Sequence, residues 1–328
     1  MELLDQFAKS CHKAGYYAKG KLRNWMPDWY WQGQLKRLLA EANCASPAER
    51  EYLSNRVNYY NKLDAEFHLP GELDFNHQIY EGKKSTAYAM DFLWWTAFFS
   101  AAKKLNYSYL FGDITHVPDV PTFLKSRPIL EGNNNKNSVL LKLNQIRHYY
   151  TVEDKTPFAN KLPQLVWRGK SNHPDRVAVL SRYYESPLCD VGDTHYPHKR
   201  TTYVRPFMSI PGQLRYRYVL SVEGHDVATN LKWIMASNSL CFMRKPKFET
   251  WFMEGSLLPG VHYVQLRDDH SDIEEKIEYY NAHPDEAEII IANANRYVEQ
   301  FQDPRQELMI TLLVMQKYFR LSGQLQQG

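Results

Sequence analysis

Arg168, Lys170 and Arg176 fall within nine residues of the segment 166–176, VWRGKSNHPDR, with Gly169 between the first two. Several cations at one place suit a doubly charged anion such as a diphosphate, because charge-assisted hydrogen bonds are stronger than neutral ones. The same residues also describe a solvated basic loop. In the segment 222–232, VEGHDVATNLK, an apolar run is followed by Gly224, Asp226, Asn230 and Lys232. Asp226 is a good helix cap, and strand, glycine, cap and helix in that order build an anion site at a helix N-terminus. Glu249 and Glu254 flank an aromatic pair in ETWFMEG. A carboxylate there can accept hydrogen bonds from ribose hydroxyls, or it is a helix-terminal charge. In GDITH, residues 112–116, Asp113 and His116 follow a short apolar run. They are candidate general bases, or a turn-capping aspartate and a satisfied histidine. His195 and His198 read as loop residues.

Elements must hold these groups. Residues 107–112, YSYLFG, read as a buried strand, and Pro118, Pro121 and Pro128 then predict a long loop over 113–130. Strands are expected at 164–167, 218–223, 239–243 and 261–266, and helices at 227–237, after Ser271, at 284–301 and at 304–321. Ala228, Leu231 and Met235 share one face of the first of these helices. Alternating strands and helices over 160–300 give an α/β class with a mostly parallel sheet. Ligands bind such sheets at the carboxyl ends of the strands, where Arg168, Lys170 and Arg176 are placed.

At 328 residues the chain is long enough for about two domains. Hydrophobic residues make up 44% and charged residues 23%, which excludes a disordered or low-complexity protein. Aromatics are abundant, with 23 Tyr, 15 Phe and 8 Trp; they serve cores or stacking surfaces for sugars or bases. Through residue 250 there are 34 Lys and Arg against 24 Asp and Glu, and beyond it 6 against 13. The basic part suits phosphate, a membrane surface or nucleic acid. Cys11, Cys44, Cys189 and Cys241 form no CxxC pair, so neither a zinc site nor a disulfide framework is expected, and a reducing compartment fits. No signal peptide or membrane span is expected; the longest apolar stretch, 87–102, contains Asp91 and reads as a buried helix. No DxD, HExxH, GxSxG, GxGxxG or P-loop pattern occurs.

The set WRG at 167–169 with Arg176, EGHDVATNLKW at 223–233, and WFMEG with PGVHYV at 251–264 resembles glycosyltransferase family 90. KSRPI at 125–129 and NSVLLKLN resemble its bacterial lipopolysaccharide branch in particular. The resemblance implies a GT-B fold, two Rossmann-like domains facing a cleft. Residues 1–150 would bind the acceptor, with the C-terminal helix of 304–328 packing back on that domain. Residues 151–303 would bind the nucleotide sugar. It also implies an inverting transfer of a hexose, glucose or galactose, from a UDP-sugar to a lipopolysaccharide inner-core hydroxyl, with no metal and no other cofactor. Lys170 and Arg176 fall where the family contacts the diphosphate. Asn230 stands where the protein-modifying branch carries an arginine, with Lys232 or Arg168 to compensate. By counting, His116 falls opposite that branch's catalytic aspartate, but Asp113 is the better chemical match. The implied location is cytoplasmic, with the basic segment 9–37 at the inner face of the membrane. Two other readings are an O-glycosyltransferase acting on protein or capsule polysaccharide, and a non-catalytic nucleic-acid-binding protein, for which no RNA motif is present.

Overall fold

The computed structural model of the chain describes residues 14–18, 20, 26–70, 87–99, 105–149, 152–194 and 202–325. In chain order the strands are β1 (Ser108–Tyr109), β2 (Thr122–Leu124), β3 (Ser126–Pro128), β4 (Ser138–Leu140), β5 (Leu162–Gly169), β6 (Cys189–Asp193), β7 (Tyr216–Leu220), β8 (Leu240–Met243), β9 (Phe248–Thr250) and β10 (Val264–Gln265). The chain divides into two compact units.

One unit contains the described residues of Gln6–Ile146 together with Phe248–Trp251 and Phe301–Gly328. Its parallel sheet has the order β1-β2-β4, and β3 pairs antiparallel with β9. Helices Asp28–Cys44, Pro47–Tyr60, Ala87–Ala97 and Pro304–Leu321 complete it. The start of Pro47–Tyr60 is set by Pro47 in its first turn and by Ser46, whose hydroxyl accepts from the Glu49 amide. Asp303 does the same for Pro304–Leu321, accepting from the amides of Arg305 and Gln306. This last helix buries Ile310, Leu312, Val314, Met315, Tyr318 and Phe319. Tyr318 lies 4.2 Å from the ring of Phe123 on β2 and donates its hydroxyl to the Pro121 carbonyl. Below it, the buried Glu307 carboxylate accepts from Arg56 Nη2 and Lys142 Nζ, each at 2.8 Å, and from Trp251 Nε1 at 2.6 Å.

The other unit contains Arg147–Lys247 and Phe252–Gln300. Its five strands are all parallel in the order β10-β8-β7-β5-β6. Leu165, Val191, Tyr218, Leu220, Leu240 and Phe242 form its core against Leu180, Ile277 and Ile291 of the flanking helices. Cys189 and Cys241 are buried in this sheet, and burial pushes both thiols up, Cys189 to about 12.

Three expectations need correction. The stretch 113–130 is not one loop, because it contains β2 and β3. Pro121 precedes β2 and Pro128 ends β3, so neither interrupts a strand interior. The helix expected at 227–237 is only Leu231–Met235, capped in position by Asn230, and Asp226 lies in the preceding bend rather than at a helix start. The strands β4, β6 and β9 were not expected; β6, CDVGD, hides in sequence because glycine and aspartate disfavour strands elsewhere. The 87–102 stretch is helical over Ala87–Ala97, with Asp91, Phe92, Trp95 and Thr96 buried. Cys11, Lys9, Lys13, Lys19, Lys21, Arg23, Trp25, His195 and His198 lie outside the described residues. Among the described residues no helix is long and apolar enough to cross a membrane.

Candidate active site

In the five-stranded sheet, the chain winds one way from β5 to β6 and the other way from β5 to β7, β8 and β10. The reversal lies between β5 and β7, and a doubly wound sheet opens a crevice there, at the carboxyl ends of its strands. The loops that leave β5 and β7 at this edge are the two basic and glycine-containing segments, 169–174 and 221–230.

Arg176 joins them. It stands in the first turn of the Pro174–Tyr183 helix, and its Nη2 donates to the Val222 carbonyl at 3.2 Å. Nη1 donates to Asn172 Oδ1 at 3.2 Å, and the guanidinium lies 6.0 Å from the Trp167 ring centre. Its buried Nε has no hydrogen-bond partner. Burial, then the nearby Arg147, pull its pKa below the ordinary arginine value, while the buried Asp226 opposes them. A half-buried cation beside a second cation is a site short of negative charge. Lys170 is exposed on the same loop, and Gly169 allows the Trp167 ring to fold back, since a Cβ there would lie 2.4 Å from it. The loop is anchored by Thr194, whose amide donates to the Gly169 carbonyl at 2.9 Å, and by Ser171, which bonds Asp193.

The remaining cations and acids proposed from sequence are engaged elsewhere. Arg168 donates to the Asp190 carboxylate at 2.7 Å and to the carbonyls of Asp190, Trp167 and Pro206, so it ties β5 to β6. Lys232 is buried and pairs with Glu254 at 2.7 Å, near the Tyr149 and Phe252 rings. Asn230 turns inward, donating to the Leu220 carbonyl at 2.9 Å and bonding Ser221. Glu249 belongs to the other unit, where it is buried against Arg127 at 2.7 Å and the Tyr59 hydroxyl. Of the two residues expected to compensate for Asn230, Lys232 is paired with Glu254 and Arg168 with Asp190.

Sequence reasoning passed over a cluster at the same carboxyl edge. His173 follows β5, His225 follows β7, and their rings meet edge to face at 6.1 Å. Asp175 pairs with Arg244, which follows β8, and lies 3.7 Å from His173. Burial, with the cations Arg176 and Arg244 adding to it and Asp175 opposing, holds the His173 imidazole below its ordinary value. The signal was present in NHPDR and EGHD, where each histidine sits beside an acid one or two residues away.

In the three-stranded unit, Asp113 stands beyond the carboxyl end of β1, after Gly112 in the left-handed region at φ 111°. Its partly exposed carboxylate accepts from the buried Lys125 ammonium at 2.6 Å, and Lys125 leaves the carboxyl end of the neighbouring β2. His116 is exposed three residues on. Asp113 is thus fixed by a buried cation. Among the described residues no group of three or more His, Cys, Asp or Glu is arranged to hold a metal ion.

The chain is 46% identical over 311 residues to the O-glucosyltransferase LpsA of Dichelobacter nodosus, covering 94% of this chain and 96% of that protein. It is 25% identical over 165 residues to protein O-glucosyltransferase 3 of Homo sapiens, and 26% over 136 residues to protein O-glucosyltransferase 2 of Danio rerio. Those two matches cover 48% and 40% of this chain and about a third or less, 32% and 27%, of the animal proteins. The family profile described as glycosyl transferase family 90 matches residues 139–322, which include both loops of the switch point, and with the bacterial relative it shows that the chain is a glycosyltransferase belonging to that family.

Proposed function

We propose that the chain is an inverting, metal-independent hexosyltransferase of the GT-B class. It moves a hexose from a UDP-sugar to a sugar hydroxyl of the lipopolysaccharide inner core. The observation that carries this reading is Arg176, a guanidinium short of negative charge that spans the two loops of the switch point. A diphosphate there meets Arg176 and Lys170, and Gly169 and Gly224 make room for the Trp167 ring and the Arg176 guanidinium that shape the two loops. Glucose is the first sugar to test, because the bacterial relative is named an O-glucosyltransferase.

In the transfer, Asp113 accepts the proton of the acceptor hydroxyl. The oxygen forms a bond to the anomeric carbon from the face opposite the nucleotide, and the bond from that carbon to the diphosphate oxygen breaks. UDP leaves with the bonding pair, and Arg176 and Lys170 take up the charge that develops on it. Preorganised donors of this kind are worth about 3–4 kcal/mol each. Lys125 holds the Asp113 carboxylate in place while the proton moves. The enzyme works in the cytoplasm and touches the inner face of the membrane through basic residues, of which Lys36 and Arg37 are exposed on Asp28–Cys44.

The test is a panel of UDP-sugars with lipopolysaccharide core acceptor, in excess EDTA, with UDP release as the readout. Sugar-dependent release that needs the acceptor supports the reading. Release only with a protein or capsule acceptor moves the chain to another branch of the family. Loss of UDP binding in EDTA refutes metal independence, and oligonucleotide binding with a steep salt dependence but no UDP affinity refutes the reading as a whole.

A further inference from the structure

Three aromatic rings gather at the carboxyl edge of the β1-β2-β4 sheet, beside Asp113. Tyr109 ends β1, Phe111 follows two residues later, and Tyr88 stands in the first turn of the Ala87–Ala97 helix. The Tyr88 and Phe111 rings are stacked, with centres 5.7 Å apart and planes 25° apart. Tyr109 lies 4.7 Å from Phe111. Beneath them is Phe92, fully buried, 5.3 Å from Tyr109 and 5.9 Å from Phe111. Phe92 and Phe123 are sealed in the core of this unit. Tyr88, Tyr109 and Phe111 are only half-buried. Gly112 at φ 111° then turns the chain, so that the carboxylate of Asp113 stands two residues from the Phe111 ring.

We propose that Tyr88, Tyr109 and Phe111 form a stacking platform for a sugar ring of the acceptor. The proposal rests on the glycosyltransferase reading above and adds to it the means by which the acceptor is held. The face of an aromatic ring is electron-rich and apolar. A pyranose presents C–H groups on one face and hydroxyls at its rim. Laid on this platform, a sugar buries its C–H face and leaves its hydroxyls at the edge, where Asp113 can take a proton. An apolar floor with one or two polar groups is the usual make-up of a small-ligand site, and the carboxyl edge of a parallel sheet is its usual place. The ligand class is therefore an oligosaccharide recognised by a C–H face, and a peptide carboxylate would gain little here.

The test uses the full chain and a heptose-containing core oligosaccharide released from lipopolysaccharide by mild acid. Its binding is measured by saturation-transfer NMR, and UDP binding by calorimetry. Phe111→Leu and Tyr88→Leu keep apolar bulk and remove the π face. Each is expected to weaken oligosaccharide binding roughly three- to tenfold and to raise the acceptor KM by the same factor. UDP affinity and acceptor-independent hydrolysis of the UDP-sugar should stay at the wild-type level. Phe111→Tyr keeps the ring and should bind as wild type does, which separates loss of stacking from loss of folding. Oligosaccharide affinity unchanged in both leucine variants and in their double variant overturns the platform, as does an absence of binding to the wild type. If the wild-type chain turns over no UDP-sugar with any acceptor, it is the glycosyltransferase reading that fails, and the binding measurement still decides the platform.

Discussion

A Cβ on Gly224 would stand 3.0 Å from Nη2 of Arg176 and 3.3 Å from its Cζ. The glycine of one loop thus makes room for the guanidinium of the other. Gly224→Ala is expected to displace the guanidinium by a few tenths of an ångström without disturbing the sheet. UDP affinity, measured by calorimetry, should fall roughly three- to tenfold. The melting temperature should stay within about 3 °C of wild type. An unchanged affinity would separate Arg176 from the nucleotide.

Removing the cations should have unequal effects. Arg176 is half-buried and its charge is poorly screened, so Arg176→Ala is expected to lower UDP affinity by about 10- to 100-fold. Lys170 is exposed, and Lys170→Ala should lower it only about two- to fivefold, with the difference shrinking as salt rises. Equal losses at both positions would contradict this order.

The two candidate bases are separated by substitution. Asp113→Asn preserves shape and removes the proton acceptor, so kcat should drop about 10²- to 10⁴-fold while UDP binding persists. His116→Ala should be mild by comparison. If His116→Ala abolishes turnover with UDP binding intact, and Asp113→Asn does not, the imidazole is the base.

Stability of the three-stranded unit depends on one carboxylate. Glu307 is buried and pairs with both Arg56 and Lys142. Glu307→Gln removes the carboxylate that pairs with both Arg56 and Lys142, and breaking a buried ion pair costs about 3–5 kcal/mol. Urea denaturation followed by circular dichroism should show a midpoint shifted down accordingly. A shift near zero would mean that water reaches the cations.

His270 gives an acid-dependent term. It is buried in the left-handed region at φ 57°, and burial, then Arg244, push its imidazole down to about 4, with Asp175, Asp269 and Asp272 opposing. The folded chain keeps the ring neutral, while the unfolded chain protonates it near 6.5. Its contribution is therefore intact above pH 6.5, declines as pH falls through 6.5 toward 4, and is level below that. The loss is on the order of 3 kcal/mol. His270→Asn, which tolerates positive φ, should flatten that part of the stability profile, and an unchanged slope would show that other groups set it.

Local chemistry was legible in the sequence, and long-range pairing was not. The run QLVW followed by RGK marks the end of β5, and the β/α alternation gives the parallel sheet. Arg176 lies near both loops because β5 and β7 are neighbours in the sheet, a consequence of strand order rather than of spacing. Lys232 looked open at one turn into a helix, yet Glu254, 22 residues away, takes its charge. Glu249 looked like a ribose ligand, yet Arg127, 122 residues earlier, takes it. The helix expected from Asp226 is shortened because the Asn230 amide bonds the end of β7 and holds residues 221–230 in an extended turn. A partner distant in sequence leaves no local pattern from which to infer it.

The three-stranded unit is assembled from residues that precede the five-stranded unit in the chain and residues that follow it. Arg56, Phe123 and Lys142 emerge early, but Glu307, Tyr318 and Phe319, which cover or pair with them, are made after the whole of the five-stranded unit. At roughly 5–20 residues per second, the intervening stretch delays closure by on the order of ten seconds. During that time the early half lacks the residues that cover Phe123 and pair with Arg56 and Lys142. Among the described residues, the unit that carries Arg176 is contiguous apart from the four residues 248–251 and can fold first. The rate of synthesis therefore sets how long the first segments of this unit wait for the last helix that closes over them.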